Sequence, residues 1–216
     1  YVDGNLTRDK NAFEIRLAAG SRIFGKSAAG SPFTVYAPGW DEGSTKTTSS
    51  GQLYNRQYAV KAGDQLKDRW MLHTFSEEGY HLKVHGPNGF YRVFKGNSND
   101  PQLIVTCRYA EHGGTTRKLT GDVIMNITYD GDSQEELIIR DYGYHAANDK
   151  VLQVGKGKRR TANLVIKSLS GWYDFSIRVN GNDVFEKRYA GHVETGRLST
   201  SDPLMGRGNA ISSLRD

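Results

Sequence analysis

Gly79-Tyr80-His81-Leu82-Lys83-Val84, Gly86-Pro87-Asn88-Gly89 and Phe90-Tyr91-Arg92-Val93-Phe94-Lys95-Gly96 follow one another closely in the chain. The same order of parts returns in Gly171-Trp172-Tyr173-Asp174-Phe175-Ser176-Ile177-Arg178-Val179, Asn180-Gly181-Asn182-Asp183-Val184 and Phe185-Glu186-Lys187-Arg188-Tyr189-Ala190-Gly191. Each stretch reads as strand, tight turn, strand. Tyr80, Leu82 and Val84 alternate with polar residues, as Tyr173, Phe175 and Ile177 do with theirs, the period-2 mark of a half-buried strand. Both returning strands have the form Phe-x-Arg/Lys-x-Phe/Tyr-x-Gly. A hairpin met twice points to an internal duplication.

The duplication extends upstream. Tyr58 to Gly63 matches Leu152 to Gly157, and Trp70 and Leu72 match Leu164 and Ile166. Phe33 to Tyr36 matches Leu137 to Arg140, and Phe13 to Leu17 matches Val123 to Ile127. Four segments matching in one order predict two copies of about a hundred residues, the size of a small β-sandwich.

Strands are expected in the first copy at 1–7, 13–17, 33–37, 54–61, 65–74, 80–85 and 90–95. In the second they are expected at 103–109, 122–129, 136–141, 150–155, 161–168, 173–180 and 184–189. No stretch has a helical period. The fold class is therefore all-β: two tandem immunoglobulin-like antiparallel β-sandwiches. Residues 1–99 form the first, 100–205 the second and 206–216 a polar C-terminal tail, with a linker at Gly96 to Pro101. Trp40 to Gly51, rich in Ser and Thr, reads as an exposed, mobile loop.

The chain has 216 residues, 25 of them Gly and 5 Pro, with a net charge of +5. That charge is mild. Lys156, Lys158, Arg159 and Arg160 form the one basic cluster, too short to argue for nucleic acid. The single cysteine, Cys107, cannot form an intramolecular disulfide and reads as a buried structural thiol. No signal peptide or membrane-spanning stretch is visible, and the strand-like opening Tyr1-Val2-Asp3 suits a fragment of a longer protein.

The sequence offers little chemistry. His81 and His85 share a strand face but stand about 13 Å apart along it, too far to hold one metal. His73, His112, His145 and His192 are scattered. No nucleophile elbow, zinc spacing or phosphate loop is present, and Asp130-Gly131-Asp132 reads as a hairpin turn. No cofactor is expected. Arg92 lies between Phe90 and Phe94, and Lys187 between Phe185 and Tyr189, so each cation can lie over rings. The arrangement serves either as a structural pair or as a surface site; its presence in both copies favours the first. Trp70 and Trp172 fall in strands and read as core. Trp40 borders a loop and reads as the surface candidate, with Arg92 and Lys187.

These hairpins resemble the C-terminal region of the bacterial phosphocholine-preferring phospholipases C, haemolytic and non-haemolytic. The likeness is carried by Pro32-Phe33-Thr34-Val35-Tyr36, by Tyr58-Ala59-Val60-x-Ala62-Gly63 and by Tyr80-His81-Leu82-x-Val84-His85-Gly86-Pro87-Asn88-Gly89-Phe90-Tyr91-Arg92. It continues in Gly171-Trp172-Tyr173-Asp174 and, most specifically, in Tyr189-Ala190-Gly191-His192-Val193-Glu194-Thr195-Gly196-Arg197 with Ser201-Asp202-Pro203. The long Thr/Ser loop after Trp40 and the polar extension beyond Met205 depart from the pattern.

The resemblance implies a pair of similar domains behind a larger catalytic domain of the alkaline-phosphatase type. It implies a parent enzyme, secreted or periplasmic, that releases phosphocholine from phosphatidylcholine or sphingomyelin. The catalytic residues belong to the other domain, so none is assigned here. The expected partner is that catalytic domain, with a phosphatidylcholine-containing membrane surface second. The expected role is docking and support, through His192, Glu194, Arg197 and Asp202 of the tail. The alternative is a module that binds lipid headgroups, a membrane surface or a glycan.

Overall fold

The computed structural model describes residues 1–40, 54–75, 79–113, 118–145, 147–166 and 170–205. The expected mobile loop after Trp40 and the tail from 206 lie outside them.

Fourteen strands are present among the described residues, seven in each copy. The first copy supplies β1 (Val2–Leu6), β2 (Ala12–Ala18), β3 (Ser31–Ala37), β4 (Tyr54–Val60), β5 (Gln65–Met71), β6 (Tyr80–His85) and β7 (Tyr91–Gly96). The second supplies β8 (Leu103–His112), β9 (Lys118–Tyr129), β10 (Glu135–Asp141), β11 (Lys150–Val154), β12 (Arg159–Leu164), β13 (Trp172–Val179) and β14 (Asn182–His192). The only helices among the described residues are single 3-10 turns at Gly25–Ser27 and Leu72–Thr74.

Among the described residues the named strands pair antiparallel throughout, and the architecture is a β-sandwich. One layer is a single eight-stranded sheet in the order β11-β10-β13-β14-β7-β6-β3-β4. The other holds two three-stranded sheets, β1-β2-β5 and β12-β9-β8. The order is symmetric: exchanging each strand of one copy for its counterpart seven places on returns the same list. The two returning hairpin strands meet at the centre, where Glu186 to Ala190 of β14 pair with Lys95 to Tyr91 of β7. A pseudo-twofold axis thus passes close to the Val93–Arg188 pair. The Asp130-Gly131-Asp132 stretch is no hairpin turn, because it carries the chain from β9 in one layer to β10 in the other.

Alternation decides which faces meet. Tyr80, Leu82 and Val84 point inward, as do Tyr173, Phe175 and Ile177, and all are buried. Phe13 of β2 sits 4.3 Å from Tyr80 and 5.3 Å from Phe94 (ring centroids), joining the two layers. Phe94 and Tyr189, counterparts in the two copies, touch edge to face at 6.3 Å. The buried apolar side chains of both copies form one continuous core. Each such large side chain contributes about 1.5–3 kcal/mol by leaving water.

Candidate functional site

Two neighbourhoods hold the residues singled out in the sequence. The first is the central seam. Arg92 and Lys187 are not on the surface as expected, being 1% and 2% exposed. Their strands lie at the middle of the large sheet, and their faces point into the sandwich. The Lys187 Nζ donates to the carbonyl oxygens of Gly4 at 2.9 Å and Leu103 at 3.1 Å, and to Asn5 Oδ1 at 2.8 Å. Gly4 belongs to β1 and Leu103 to β8, edge strands of separate sheets. The ammonium therefore supplies donors where backbone pairing stops. Burial pulls its pKa down to about 7, while the nearby Asp100 and Asp3 act to raise it.

Arg92, on the other side of the axis, bonds within the large sheet instead. Its guanidinium donates to Ala190 O at 2.7 Å, Tyr91 O at 2.8 Å and the Tyr173 hydroxyl at 3.0 Å. It lies 3.9 Å above the Phe90 ring and 5.2 Å from that of Tyr189. No carboxylate among the described residues forms a salt bridge with it. The structural pair is thus the reading the geometry supports.

Trp40 is also corrected. It is 7% exposed, because the turn after β3 returns it between β4 and β5. Its ring stands 4.9 Å from both Trp70 and Phe75 and stacks on Tyr54 at 5.8 Å. The Arg56 guanidinium lies 4.2 Å from the Trp70 ring and 5.2 Å from that of Trp40. The signal available in the sequence was an aromatic directly after the Pro38-Gly39 turn, where the chain is sent back toward the core.

The second neighbourhood is the end of β14 and the segment after it. β14 runs to His192, three residues past the expected end, and pairs there with Trp172. His192 is 5% exposed and closes β14 rather than standing in the irregular segment expected from Gly191 onward. Its Nε2 lies 3.0 Å from Ser170 O and its Nδ1 3.2 Å from Glu194 Oε1. The Tyr109 hydroxyl donates to the His192 carbonyl at 3.1 Å. Trp172 packs on the His192 ring at 4.6 Å, and its indole N–H donates to Thr200 O at 2.9 Å. Gly89, at a left-handed φ of +73°, admits the other edge of the indole, which a Cβ there would approach to 3.1 Å.

Farther along, Asp202 Oδ1 accepts from the Tyr144 hydroxyl at 3.0 Å and from Leu204 N at 2.8 Å. Burial and that carboxylate push the Tyr144 hydroxyl well above its ordinary pKa. Tyr144 and Trp172 thus fasten the segment, and the sequence alone did not mark them as its anchors. Glu194 and Arg197 are exposed, Leu198 is 106% exposed and Met205 71%. The segment therefore has a fixed inner side and an open outer side.

Burial holds both His81 and Cys107 in their uncharged forms at neutral pH. His81 is half-buried, and burial, with Lys95 and Lys83 near, lowers its pKa to about 4. Cys107 is 3% exposed, and burial raises its thiol to about 11. A thiol so buried and so rarely ionised is a poor nucleophile. No cluster of metal-ligating side chains occurs among the described residues.

The family model described as "Bacterial phospholipase C, C-terminal domain" matches the chain twice, at residues 5–97 and 103–192. The chain is 33% identical over 153 residues to the non-hemolytic phospholipase C of Pseudomonas aeruginosa, covering 71% of this chain and 22% of that protein. It is 31% identical over 155 residues to the non-hemolytic phospholipase C of Burkholderia pseudomallei, covering 68% and 21%. Against the hemolytic phospholipase C of Pseudomonas aeruginosa it is 30% identical over 129 residues, covering 58% and 17%. The chain spans about a fifth of the length of the curated relatives it matches.

Proposed function

We infer from one premise, that this chain belongs to the family of bacterial phospholipase C C-terminal domains, that it is a non-catalytic module that docks on and supports the catalytic domain of its own polypeptide. Under this reading the parent is an exported enzyme that releases phosphocholine from phosphatidylcholine or sphingomyelin. This chain supplies shape and stability rather than reacting groups. The two sandwich copies, divided along the chain near 96–101, work as a pair.

One observation carries the docking reading. The segment from Val193 to Met205 is fastened to the body through Val193 N to Gly171 O, Trp172 to Thr200 and Tyr144 to Asp202. Yet it holds Leu198 and Met205 out in water, with Glu194 and Arg197 beside them. A segment fixed on its inner side leaves these outward side chains free to meet another surface. Charges of both signs around them set orientation more than affinity.

The test is made in the full-length enzyme. Replacing Leu198 by Asp, and separately Glu194 and Arg197 together by Ala, should lower its activity or thermal stability. The isolated chain carrying the same changes should melt as before. Unchanged activity and melting of the full-length variants would overturn the docking role.

A further inference from the structure

Carboxylates are in short supply on the outer face of β1, β2 and β5. Arg16 stands opposite both Asp3 and Lys67, and Glu14 opposite Arg69. Asp3 is shared by Arg16 at 3.3 Å and Arg108 at 2.7 Å. Glu14 is shared by Lys67 and Arg69, both at 3.0 Å. Four cations thus divide two carboxylates, an excess of two positive charges. Like charges directly opposed across strands, as Arg16 and Lys67 are, cost free energy unless something neutralises them. The bonds from Lys67 and Arg69 already hold the Glu14 carboxyl below its ordinary pKa, so it stays charged and still leaves the excess.

Asp3, Glu14, Arg16, Lys67 and Arg69, though not Arg108, line a groove of about 380 Å³. Arg8, 93% exposed at its side chain, reaches over one end. Leu6 and Ile104 give the groove an apolar side. The outer face of the eight-stranded sheet is different. There Arg188, Arg178 and Arg140 each have a carboxylate of their own, in Asp174, Glu186 and Asp149. Lys83 and Lys95 stand with His81 on that face, but they line neither this groove nor the polar one beside Asp100.

We propose that this groove binds a phosphate group. Its lining cations, Arg8, Arg16, Lys67 and Arg69, outnumber its carboxylates, Asp3 and Glu14, by two, which matches a phosphate dianion or a pair of monoanionic phosphodiesters. Guanidinium forks suit phosphate oxygens because they donate in fixed parallel directions. The groove is larger than the ion alone, and its Leu6–Ile104 side has room for an organic substituent. The same chemistry is offered by free phosphate and by an anionic phospholipid headgroup. The inference is independent of the docking segment, which involves none of these residues.

The test uses the whole chain. Inorganic phosphate is titrated by isothermal calorimetry and amide NMR. Binding is measured in parallel to vesicles of phosphatidylcholine with and without phosphatidylglycerol. The proposal expects saturable, salt-sensitive binding of phosphate, of phosphatidylglycerol vesicles, or of both, with amide shifts in β1, β2 and β5. Phosphate binding alone would assign the free ion, and vesicle binding the headgroup. In Lys67→Gln/Arg69→Gln, affinity should fall about fivefold for each cation removed, the usual worth of a basic side chain near an anionic surface. Lys83→Gln/Lys95→Gln should leave it unchanged. If the first variant folds poorly, Arg8→Gln replaces it, since that side chain is almost fully in water. Absence of binding to every probe overturns the proposal. So does an equal loss in the Lys83/Lys95 variant, which would reduce the effect to net charge.

Discussion

Arg92 of β7 and Lys187 of β14 are counterparts across the pseudo-twofold axis: Arg92 is in register with Tyr189, and Lys187 with Phe94. Each inserts its charge mainly among groups of the other copy. Lys187 bonds Gly4 and Asn5, about 180 residues earlier, and Arg92 bonds Ala190 and Tyr173. A buried cation without a bonded carboxylate is held by carbonyl dipoles and ring faces, which are fixed by the fold. The pair therefore couples the copies more specifically than apolar contact alone.

Replacing Lys187 by Ala should destabilise the chain by about 3 kcal/mol, through a cavity and two backbone carbonyls left without donors. Denaturant unfolding checks this. A loss below about 1 kcal/mol would mean that water substitutes for the ammonium.

Stability should rise with pH between about 7 and the ordinary lysine value near 10.4. Burial lowers Lys187 to about 7, so in that window the unfolded chain binds a proton that the folded chain does not. Below about 7 both states are protonated and the contribution levels off. The slope should flatten in Lys187→Met, measured between pH 7 and 9, where the tyrosines stay neutral.

His81 should titrate near pH 4 by NMR, so its contribution to stability is lost as pH falls from the ordinary histidine value through that point. In Lys95→Gln its pKa should recover only in part, because burial is the larger cause and Lys83 remains. Recovery to the ordinary value would reverse that ranking.

Cys107 should resist an aromatic disulfide reagent at pH 8 in the folded chain and react on unfolding, given its burial and raised pKa. Rapid reaction without denaturant would show that β8 opens readily.

Residues 1–99 expressed alone should not form a stable monomer. The cut exposes Phe94 and Arg92, and removes the partner strand of β7. A cooperatively unfolding monomer, seen by sedimentation and circular dichroism, would contradict this.

The strands were legible because period-2 alternation survives in nearly every one. Tyr80 to His85 has the boundaries read from the sequence. The pairing of β7 with β14 was not legible, because alternation reports which face is buried and not which strand lies alongside. Arg92 and Lys187 were left between a structural pair and a surface site for the same reason. Charge argues for water until a neighbouring sheet is known to cover it. Trp40 was misplaced because composition on its C-terminal side is polar, while its own position follows a chain-reversing turn. The grouping of Arg16, Lys67 and Arg69 depends on register between strands some fifty residues apart, which no local pattern encodes.

The continuous eight-stranded sheet has a consequence for self-association. A four-stranded sheet from one copy would end at β7, presenting a full row of unpaired amides and carbonyls. Such an edge invites addition of another chain. By joining β7 to β14, the duplicated sequence closes both of these edges with each other, within one molecule. Among the described residues, β4 and β11 are the outer strands of that sheet. Among the described residues these are the strands of the large sheet placed for β-strand addition, so fibrillar or domain-swapped assembly through it would begin at one of them.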